Sequence, residues 1–181
     1  NLMIFRRLNI EDLIEISPNL HEDNRGFFYE SYRRDLLEKF INQKIDFCQE
    51  NHTKSKKGVF RGLHYQLSPF EQTKLVSVIK GSIIDIAVDI RSNSESFLKN
   101  IQIELSEENK KQLFIPKGFA HGFYVKSEEA IISYKVDTFY NKNSEIVINA
   151  MDPRLNLNLN KNKFIFSDRD LLAPNFDKII F

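Results

Sequence analysis

Apolar and polar residues alternate over most of the chain, and this pattern predicts strands. Residues 75–90 hold two β-rich runs that meet at Lys80-Gly81, which predicts a hairpin-like break. Further strands are predicted, separated by polar turns, at residues 100–105, 112–116, 122–125 and 130–136. Because strands recur roughly every 8–12 residues with almost no helix between them, the pattern predicts an antiparallel sandwich or a small barrel.

Helical signals are short. Residues 31–41 place four apolar side chains on one face at helical spacing and predict a helix. Ser167 and Asp170 form an S-x-x-D pattern, so local rules explain Asp170 as part of a helix cap. Residues 155–160 (LNLNLN) alternate fully but are low in complexity. No repeat and no linker divides the chain, and we expect one domain over residues 1–181.

Composition narrows the class of protein. The 26 basic and 25 acidic residues leave a net charge of +1, whereas nucleic-acid binding usually requires a basic excess. No apolar run reaches the roughly 18 residues of a membrane-spanning helix, and the first residues lack a secretory signal pattern. The single cysteine, Cys48, excludes an internal disulfide and fits a reducing compartment. These features predict a cytoplasmic protein that acts on neither nucleic acid nor membranes.

Two histidines lie in motifs that resemble the paired motifs of the cupin superfamily, a jelly-roll barrel whose mouth often holds a metal. One is a G-x5-H motif that ends at His64, and the other is a P-x-G-x2-H motif that ends at His121. The first motif of metal-binding cupins is H-x-H, but here Gln66 occupies the second position. A neutral amide is a poor substitute for imidazole as a metal ligand. The sequence therefore favours the barrel fold but argues against a bound metal.

The neighbourhood of His64 is cationic. Arg61 lies three residues before it, so the two side chains face opposite sides of a strand unless a bulge intervenes. Gly62 offers such a bulge, which would bring Arg61 and His64 to one face. On local rules alone, Arg61 and Lys74 are solvated strand-edge charges and His64 is a hydrogen-bonded core histidine.

Longer strings, including RGLHYQ (61–66) and IPKGFAHGF (115–123), resemble the dTDP-4-dehydrorhamnose 3,5-epimerase family. The likeness extends over residues 25–30, 51–66, 74–91, 104–123, 134–140 and 167–174. It implies an all-β, cupin-type antiparallel jelly-roll barrel with short peripheral helices. It also implies a homodimer that needs no metal or other cofactor. The implied reaction inverts C3 and C5 of a nucleotide-linked 4-keto-6-deoxy sugar, by default dTDP-4-dehydro-6-deoxyglucose.

This chemistry needs three groups. A C–H next to the C4 ketone is acidic enough to lose its proton to a base, leaving an enolate that a cation stabilises; an acid then adds a proton on the opposite face. The resemblance assigns the base to His64 with Asp170 as its carboxylate partner, and the cation to Lys74. It assigns the acid to Tyr134, and a nearby lysine would help this weakly acidic phenol to ionise.

The nucleotide diphosphate needs its own contacts, and the chain has no phosphate-binding glycine motif. The resemblance gives this role to Arg25, Arg61 and Arg169, with Arg25 supplied by the neighbouring subunit. It also implies that Tyr140 stacks on the base. Other positions matched to substrate contacts are Phe28, Glu30, Gln49, Asn51, Glu145 and His121, of which His121 is structural or substrate-contacting.

Alternatives remain open. Residues 67–74 and 138–145 differ from the residues usual in the family and would border the pocket. The substrate can therefore also be a GDP-linked hexose or heptose, inverted at C3, C5 or both. A metal-dependent cupin would use His64, Glu71 and His121 as ligands. A non-catalytic sugar-nucleotide binder is a third reading, against which the retained catalytic set argues.

Overall fold

The structure, a computed structural model, describes residues 3–179. Its strands are β1 Ile4–Arg7, β2 Ile14–Ser17, β3 His21–Asp23, β4 Gly26–Phe28, β5 Gln49–Lys56, β6 Phe60–Gln66, β7 Lys74–Lys80, β8 Ser82–Asp89, β9 Asn100–Ser106, β10 Gln112–Ile115, β11 Phe119–Val125, β12 Glu129–Val136 and β13 Glu145–Val147. The α-helices in this range are α1 Arg34–Ile41 and α2 Asp168–Leu171, and 3₁₀ turns cover Pro153–Leu155, Lys161–Lys163 and Phe176–Lys178.

Two antiparallel sheets face each other across the core. One has the order β1-β2-β10-β7-β12-β5 and the other β13-β6-β11-β8-β9, while β3 and β4 form a separate hairpin. Side chains that alternate inward, such as Val76, Ile132 and Phe123, fill the space between the sheets. The all-β architecture predicted from the alternation is therefore confirmed.

Both sheets are covered on their outer faces. Leu37 of α1 packs with Leu75 and Phe114 against the six-stranded sheet. Leu155 and neighbouring C-terminal side chains pack with Phe60 against the five-stranded sheet. Strands buried on both faces explain why several segments are apolar throughout instead of alternating. No helix within residues 3–179 is long and apolar enough to cross a membrane.

The break at Gly81 is not a hairpin, and that prediction is wrong. β7 pairs with β10 and β12, whereas β8 pairs with β11 and β9 in the other sheet. Gly81 has φ of +77°, a conformation that suits glycine, and it carries the chain from one sheet to the other. Both neighbours of β7, and one neighbour of β8, are strands distant in sequence, which local patterning does not reveal.

The helical predictions hold, with shorter bounds at α1. Residues 31–33 have no regular secondary structure, and the helix covers Arg34–Ile41. The Ser167 hydroxyl caps α2 by accepting a hydrogen bond from the Asp170 backbone N–H at 3.2 Å. Residues 155–160 form no strand, because Asn156 and Asn158 have φ of 49° and 55° and turn the backbone at alternate positions.

A bulge in β6 is confirmed at Gly62. His64 pairs with His121 while Arg61 pairs with Phe123, so three steps along β6 match two along β11. Gly62 has φ of +113°, and a Cβ there would lie 2.6 Å from the His121 carbonyl oxygen. The bulge therefore requires glycine, and it places Arg61 and His64 on the same face of β6.

Candidate active site

A cavity of about 210 Å³ lies at one end of the space between the sheets. Strands of both sheets and two loops contribute to its wall. The lining residues are Gln49, Asn51, His64, Tyr65, Gln66, Gln72, Lys74, Tyr134, Tyr140 and Glu145. Three of the four proposed catalytic side chains are thus in one cavity, and the fourth is hydrogen-bonded to one of them.

That fourth residue, Asp170, lies directly behind His64. Its Oδ1 is 2.9 Å from His64 Nε2, and its Oδ2 accepts the Gly62 backbone N–H at 3.1 Å. Burial favours the neutral acid, but the hydrogen bonds with His64, Gly62 and the cap outweigh it and lower the pKa of Asp170. An ionised carboxylate only accepts hydrogen bonds, so Nε2 carries the proton and Nδ1 is the basic nitrogen.

The helix cap and the histidine pair are two uses of one residue. The cap fixes the Asp170 backbone at the third position of a short helix, while the side chain reaches β6. Local rules and the resemblance had offered these roles as alternatives. Both hold, because the cap uses the backbone N–H and the histidine uses the carboxylate.

Glu145 connects the histidine to the outer part of the cavity. Its Oε1 lies 3.7 Å from His64 Nδ1, and its Oε2 accepts a hydrogen bond from the Tyr140 hydroxyl at 3.0 Å. Arg169 forms an ion pair with the same carboxylate, and the hydrogen bond that it donates to Glu145 raises the pKa of Arg169. The carboxylate therefore links the basic nitrogen with the two residues assigned to nucleotide binding.

Lys74 begins β7 with its side chain turned inward and is 8% exposed. Burial lowers the pKa of Lys74 to about 8, although the charges of Asp85 and Glu145 act in the opposite direction. Lys74 is thus a buried cation at neutral pH that loses its charge in mildly alkaline solution. A solvated strand-edge lysine is excluded by this placement.

Tyr134 lies on β12 and pairs with Val76 of β7, two positions along from the pair of Val136 with Lys74. Burial, reinforced by Glu145, raises the pKa of the Tyr134 phenol, while Arg61 and a hydrogen bond with Asn51 partly offset it. The expectation that a lysine promotes its ionisation is therefore wrong, because desolvation dominates and Arg61 is the cation with the larger influence. The phenol remains protonated at neutral pH, as a proton donor must.

His121 belongs to a second histidine–carboxylate pair. Its Nε2 is 2.7 Å from Asp85 Oδ1, and burial lowers the pKa of His121 despite this partner. His121 is absent from the cavity wall, so the structure does not place it in contact with a ligand there. Asp85 was missed from the sequence, although an acidic residue at an inward position between Ile83 and Ala87 is a recognisable signal.

The proposed arginines divide into two groups. Arg169 pairs with Glu145, and Arg61 donates from Nε to Ser55 Oγ at 2.9 Å between the sheets. Arg25 lies elsewhere, in the β3–β4 hairpin, where it pairs with Asp23. The structure therefore brings two of the three arginines to the cavity region of the same chain.

Like Arg25, both Phe28 and Glu30 lie away from this cavity. Phe28 is 65% exposed on β4, and Glu30 forms an ion pair with Arg33. Neither side chain is among those that line the cavity of their own chain. Their assignment as substrate contacts therefore depends on a second subunit.

The alternative metal ligands do not converge. Across residues 3–179, no group of three His, Cys, Asp or Glu side chains has a spacing that fits a metal ion. His64 and His121 each have a carboxylate partner of their own, and Glu71 is not part of the cavity wall. Gln66 and Gln72, which the resemblance left without a role, are part of that wall.

Two packed antiparallel sheets with a site at one end of the interior define a cupin-like jelly-roll protein. Residues 7–178 match the family model for dTDP-4-dehydrorhamnose 3,5-epimerase, and the chain belongs to that family of carbohydrate epimerases. An enzyme of that name from Shigella flexneri is 44% identical over 170 residues, 94% of each chain. The fold class and the family inferred from the sequence are both confirmed.

Solved structures agree. The dTDP-6-deoxy-D-glucose-3,5-epimerase of Legionella pneumophila, bound to dTDP-4-keto-L-rhamnose, is 42% identical with a TM-score of 0.94, covering 98% of this chain and 95% of that one. A 3′-monoepimerase from Streptomyces bikiniensis, bound to dTDP-quinovose, is 26% identical with a TM-score of 0.88, covering 94% and 86%. The same fold therefore hosts epimerases described as acting at two centres and at one.

Proposed function

We propose that this chain, as a single domain, converts dTDP-4-dehydro-6-deoxyglucose to dTDP-4-dehydrorhamnose. The observation that carries the proposal is the convergence of His64, Lys74 and Tyr134 on one cavity, with Asp170 hydrogen-bonded to the histidine. A base, a cation and a protonated phenol are the three groups that epimerisation next to a ketone requires.

The first step is removal of a proton by His64. Nδ1 takes the proton from C3 or C5, and the electrons of the C–H bond move through the adjoining carbon to the C4 oxygen, forming an enolate. Asp170 stabilises the resulting imidazolium because it is ionised and accepts from Nε2. Lys74, buried in the same wall, stabilises the charge that develops on the oxygen.

The second step returns a proton to the other face of the sugar. Tyr134 donates its phenolic proton to the carbanionic carbon while the enolate oxygen becomes a ketone again. Solvent then reprotonates the phenolate and takes the proton from the imidazolium, which resets both groups. Each inverted carbon therefore carries one hydrogen that comes from solvent.

Nucleotide binding is assigned to the outer side of the cavity. Tyr140, 51% exposed, presents its ring there for stacking on the base, and Arg169 beside it provides a guanidinium for phosphate oxygens. Gln49 and Asn51 add amides from β5, and the exposed Arg61 is hydrogen-bonded to Ser55 of the same strand.

The direct test is hydrogen exchange with solvent. The protein is incubated in D₂O with dTDP-linked and, separately, GDP-linked 4-keto-6-deoxy sugars, and deuterium at C3 and C5 is measured by NMR. We expect deuterium at both carbons of the dTDP sugar with inversion and without added cofactor. Exchange confined to the GDP sugar, or to one carbon, would replace the substrate or the number of centres in the proposal. No exchange would overturn it.

The charge of Lys74 predicts a pH dependence. Because the pKa of Lys74 is lowered to about 8, kcat/KM is expected to fall as the pH rises above about 8, where the side chain becomes neutral. Lys74→Arg keeps the charge at high pH, so the fall near pH 8 is expected to disappear from its pH–rate profile. An unchanged fall in this variant would contradict the assignment of the titration to Lys74.

We also propose a homodimer in which the β3–β4 hairpin completes the site of the partner. The hairpin pairs with neither main sheet, and Phe27 and Phe28 are 56% and 65% exposed on it. Exposed aromatics next to an arginine suit a contact with a nucleotide diphosphate. Since Arg25, Phe28 and Glu30 do not line the cavity of their own chain, a second copy provides the simplest route to it.

Complementation between two inactive variants tests this arrangement. Arg25→Ala and His64→Asn homodimers are each expected to lose most activity, whereas co-expression gives heterodimers with one intact site. A random mixture should then recover about a quarter of wild-type activity. Mixing His64→Asn with Tyr134→Phe, both defects of one subunit's own site, should recover none. Equal behaviour of the two mixtures would contradict the shared site.

A further inference from the structure

Gln66, the last residue of β6, joins two loops at the cavity. It is 4% exposed. Its Nε2 donates to the carbonyl oxygens of Phe70 at 2.7 Å and Phe139 at 3.3 Å, and its Oε1 accepts the Asn141 backbone N–H at 2.7 Å. Both ends of the amide are therefore engaged by backbone groups, and none of these bonds requires a ligand.

The partners of Gln66 belong to the segments that precede Lys74 and Glu145. Phe70 lies in the loop of residues 67–73, and the other two partners lie in the loop of residues 137–144. Each loop contributes to the cavity wall, the first through Gln72 and the second through Tyr140. Because Tyr140 lies between Phe139 and Asn141, the two bonds to Gln66 hold the backbone on both sides of it.

The loop around Tyr140 has little side-chain packing to hold it. The side chains of Phe139 and Tyr140 are 67% and 51% exposed, so backbone hydrogen bonds carry more of its stability. Other bonds help: Gln72 Nε2 donates to the Thr138 carbonyl at 2.8 Å, and Gln49 Oε1 accepts the Tyr140 N–H at 3.0 Å. Gln72 and the backbone N–H groups of Leu67 and Thr73 also join the two loops. Gln66 differs from them because its buried amide holds the backbone on both sides of Tyr140.

An amide suits this position. Two carbonyl oxygens require a donor on one side, and one N–H requires an acceptor on the other. A carboxylate of the same shape would turn an acceptor toward the two carbonyls, and an aliphatic side chain would remove all three hydrogen bonds. This explains why glutamine serves here, at the place where the H-x-H motif of metal-binding cupins has its second histidine.

We propose that Gln66 is a positioning residue for the nucleotide, which holds the two loops together so that Tyr140 is in place to stack on the base. The inference rests on the proposed function. Glu145 lies opposite Gln66 where β13 pairs with β6, and this backbone pairing does not use the Gln66 side chain. The hydrogen bonds of the Gln66 amide are therefore expected to affect nucleotide affinity more than proton transfer.

The test compares Gln66→Glu and Gln66→Leu with the wild-type protein by calorimetric titration with dTDP. At pH 7.5 both variants are expected to bind dTDP about tenfold more weakly or worse, and kcat is expected to fall by a smaller factor than Kd rises. A protonated carboxyl group can donate one hydrogen bond. The affinity of Gln66→Glu, relative to wild type, should therefore recover as the pH is lowered, whereas that of Gln66→Leu should not.

Gln102→Glu is the matched control. Gln102 also donates from its amide to a backbone carbonyl, that of Leu157 at 3.0 Å, but it lies on β9 away from the cavity. The same change of charge there should leave dTDP binding unchanged. The leucine variant keeps the test available if a buried carboxylate at position 66 prevents folding.

Wild-type affinity for dTDP in a folded Gln66 variant would overturn the inference, as would a loss of affinity in Gln102→Glu of equal size. Failure of the wild-type protein to bind dTDP would instead contradict the proposed function. The two failures are therefore distinguishable in one series of titrations.

Discussion

Replacing His64 by asparagine is expected to lower the rate of deuterium incorporation at C3 and C5 by about 10²–10⁴-fold, the usual contribution of a general base. The reason is that Nδ1 is the basic nitrogen next to the cavity, while Nε2 is committed to Asp170. Exchange is measured by NMR in D₂O with the dTDP-linked 4-keto sugar. Asparagine is polar and smaller than histidine, so it fits the half-exposed position.

Two further variants test whether a loss of exchange is specific to the pair of His64 and Asp170. His52→Asn serves as the control, because His52 faces away from the cavity on β5 and contacts Glu50; it should keep wild-type exchange. Asp170→Asn should also lose activity, because an amide does not stabilise the imidazolium as a carboxylate does. Wild-type exchange in a folded His64→Asn protein would remove histidine from the role of base.

Replacing Tyr134 by phenylalanine is expected to separate proton exchange from inversion. His64 can still remove a proton and return it, or a solvent deuteron, to the same face. Deuterium should therefore enter the substrate with retained configuration, while formation of inverted product falls by about 10²–10⁴-fold. The ratio of exchange to inversion is read from one NMR experiment that resolves the substrate and its epimers.

The control for this variant is Tyr124→Phe, on the neighbouring sheet with its ring packed in the outer cluster. It should keep both exchange and inversion. Parallel loss of exchange and inversion in Tyr134→Phe would contradict a role limited to the second proton transfer. Undiminished inversion would show that another group supplies the acid.

Much of the site could be predicted from the sequence because its residues lie in short, distinctive strings. The segments around His64 and Lys74 resemble those of a known family, and this resemblance predicted that both residues lie on strands of a jelly-roll barrel. The cap motif at Ser167 also predicted the start of α2. These predictions succeed since they depend on local patterns or on recognised segments.

Electrostatic properties were harder to predict. The direction of the Tyr134 pKa shift was wrong, because it depends on how deeply the ring is buried and on Arg61 and Glu145 from other elements. The partner of His121 was missed for a similar reason: Asp85 lies 36 residues away and faces it only through the pairing of β8 with β11. Sequence distance carries no information about such neighbours.

From the residues alone, several of the strands, the short helices, a bulge at Gly62 and the family could be predicted. Alternation and capping are local patterns, so they can be recognised within one segment of the sequence. Two features followed from the packing of distant segments alone: β7 and β8 belong to different sheets, and Asp85 faces His121. The tertiary structure also decided that Gln66 joins two loops. Pairing, burial and charge all depend on which distant segments meet, and that is settled when the two sheets pack.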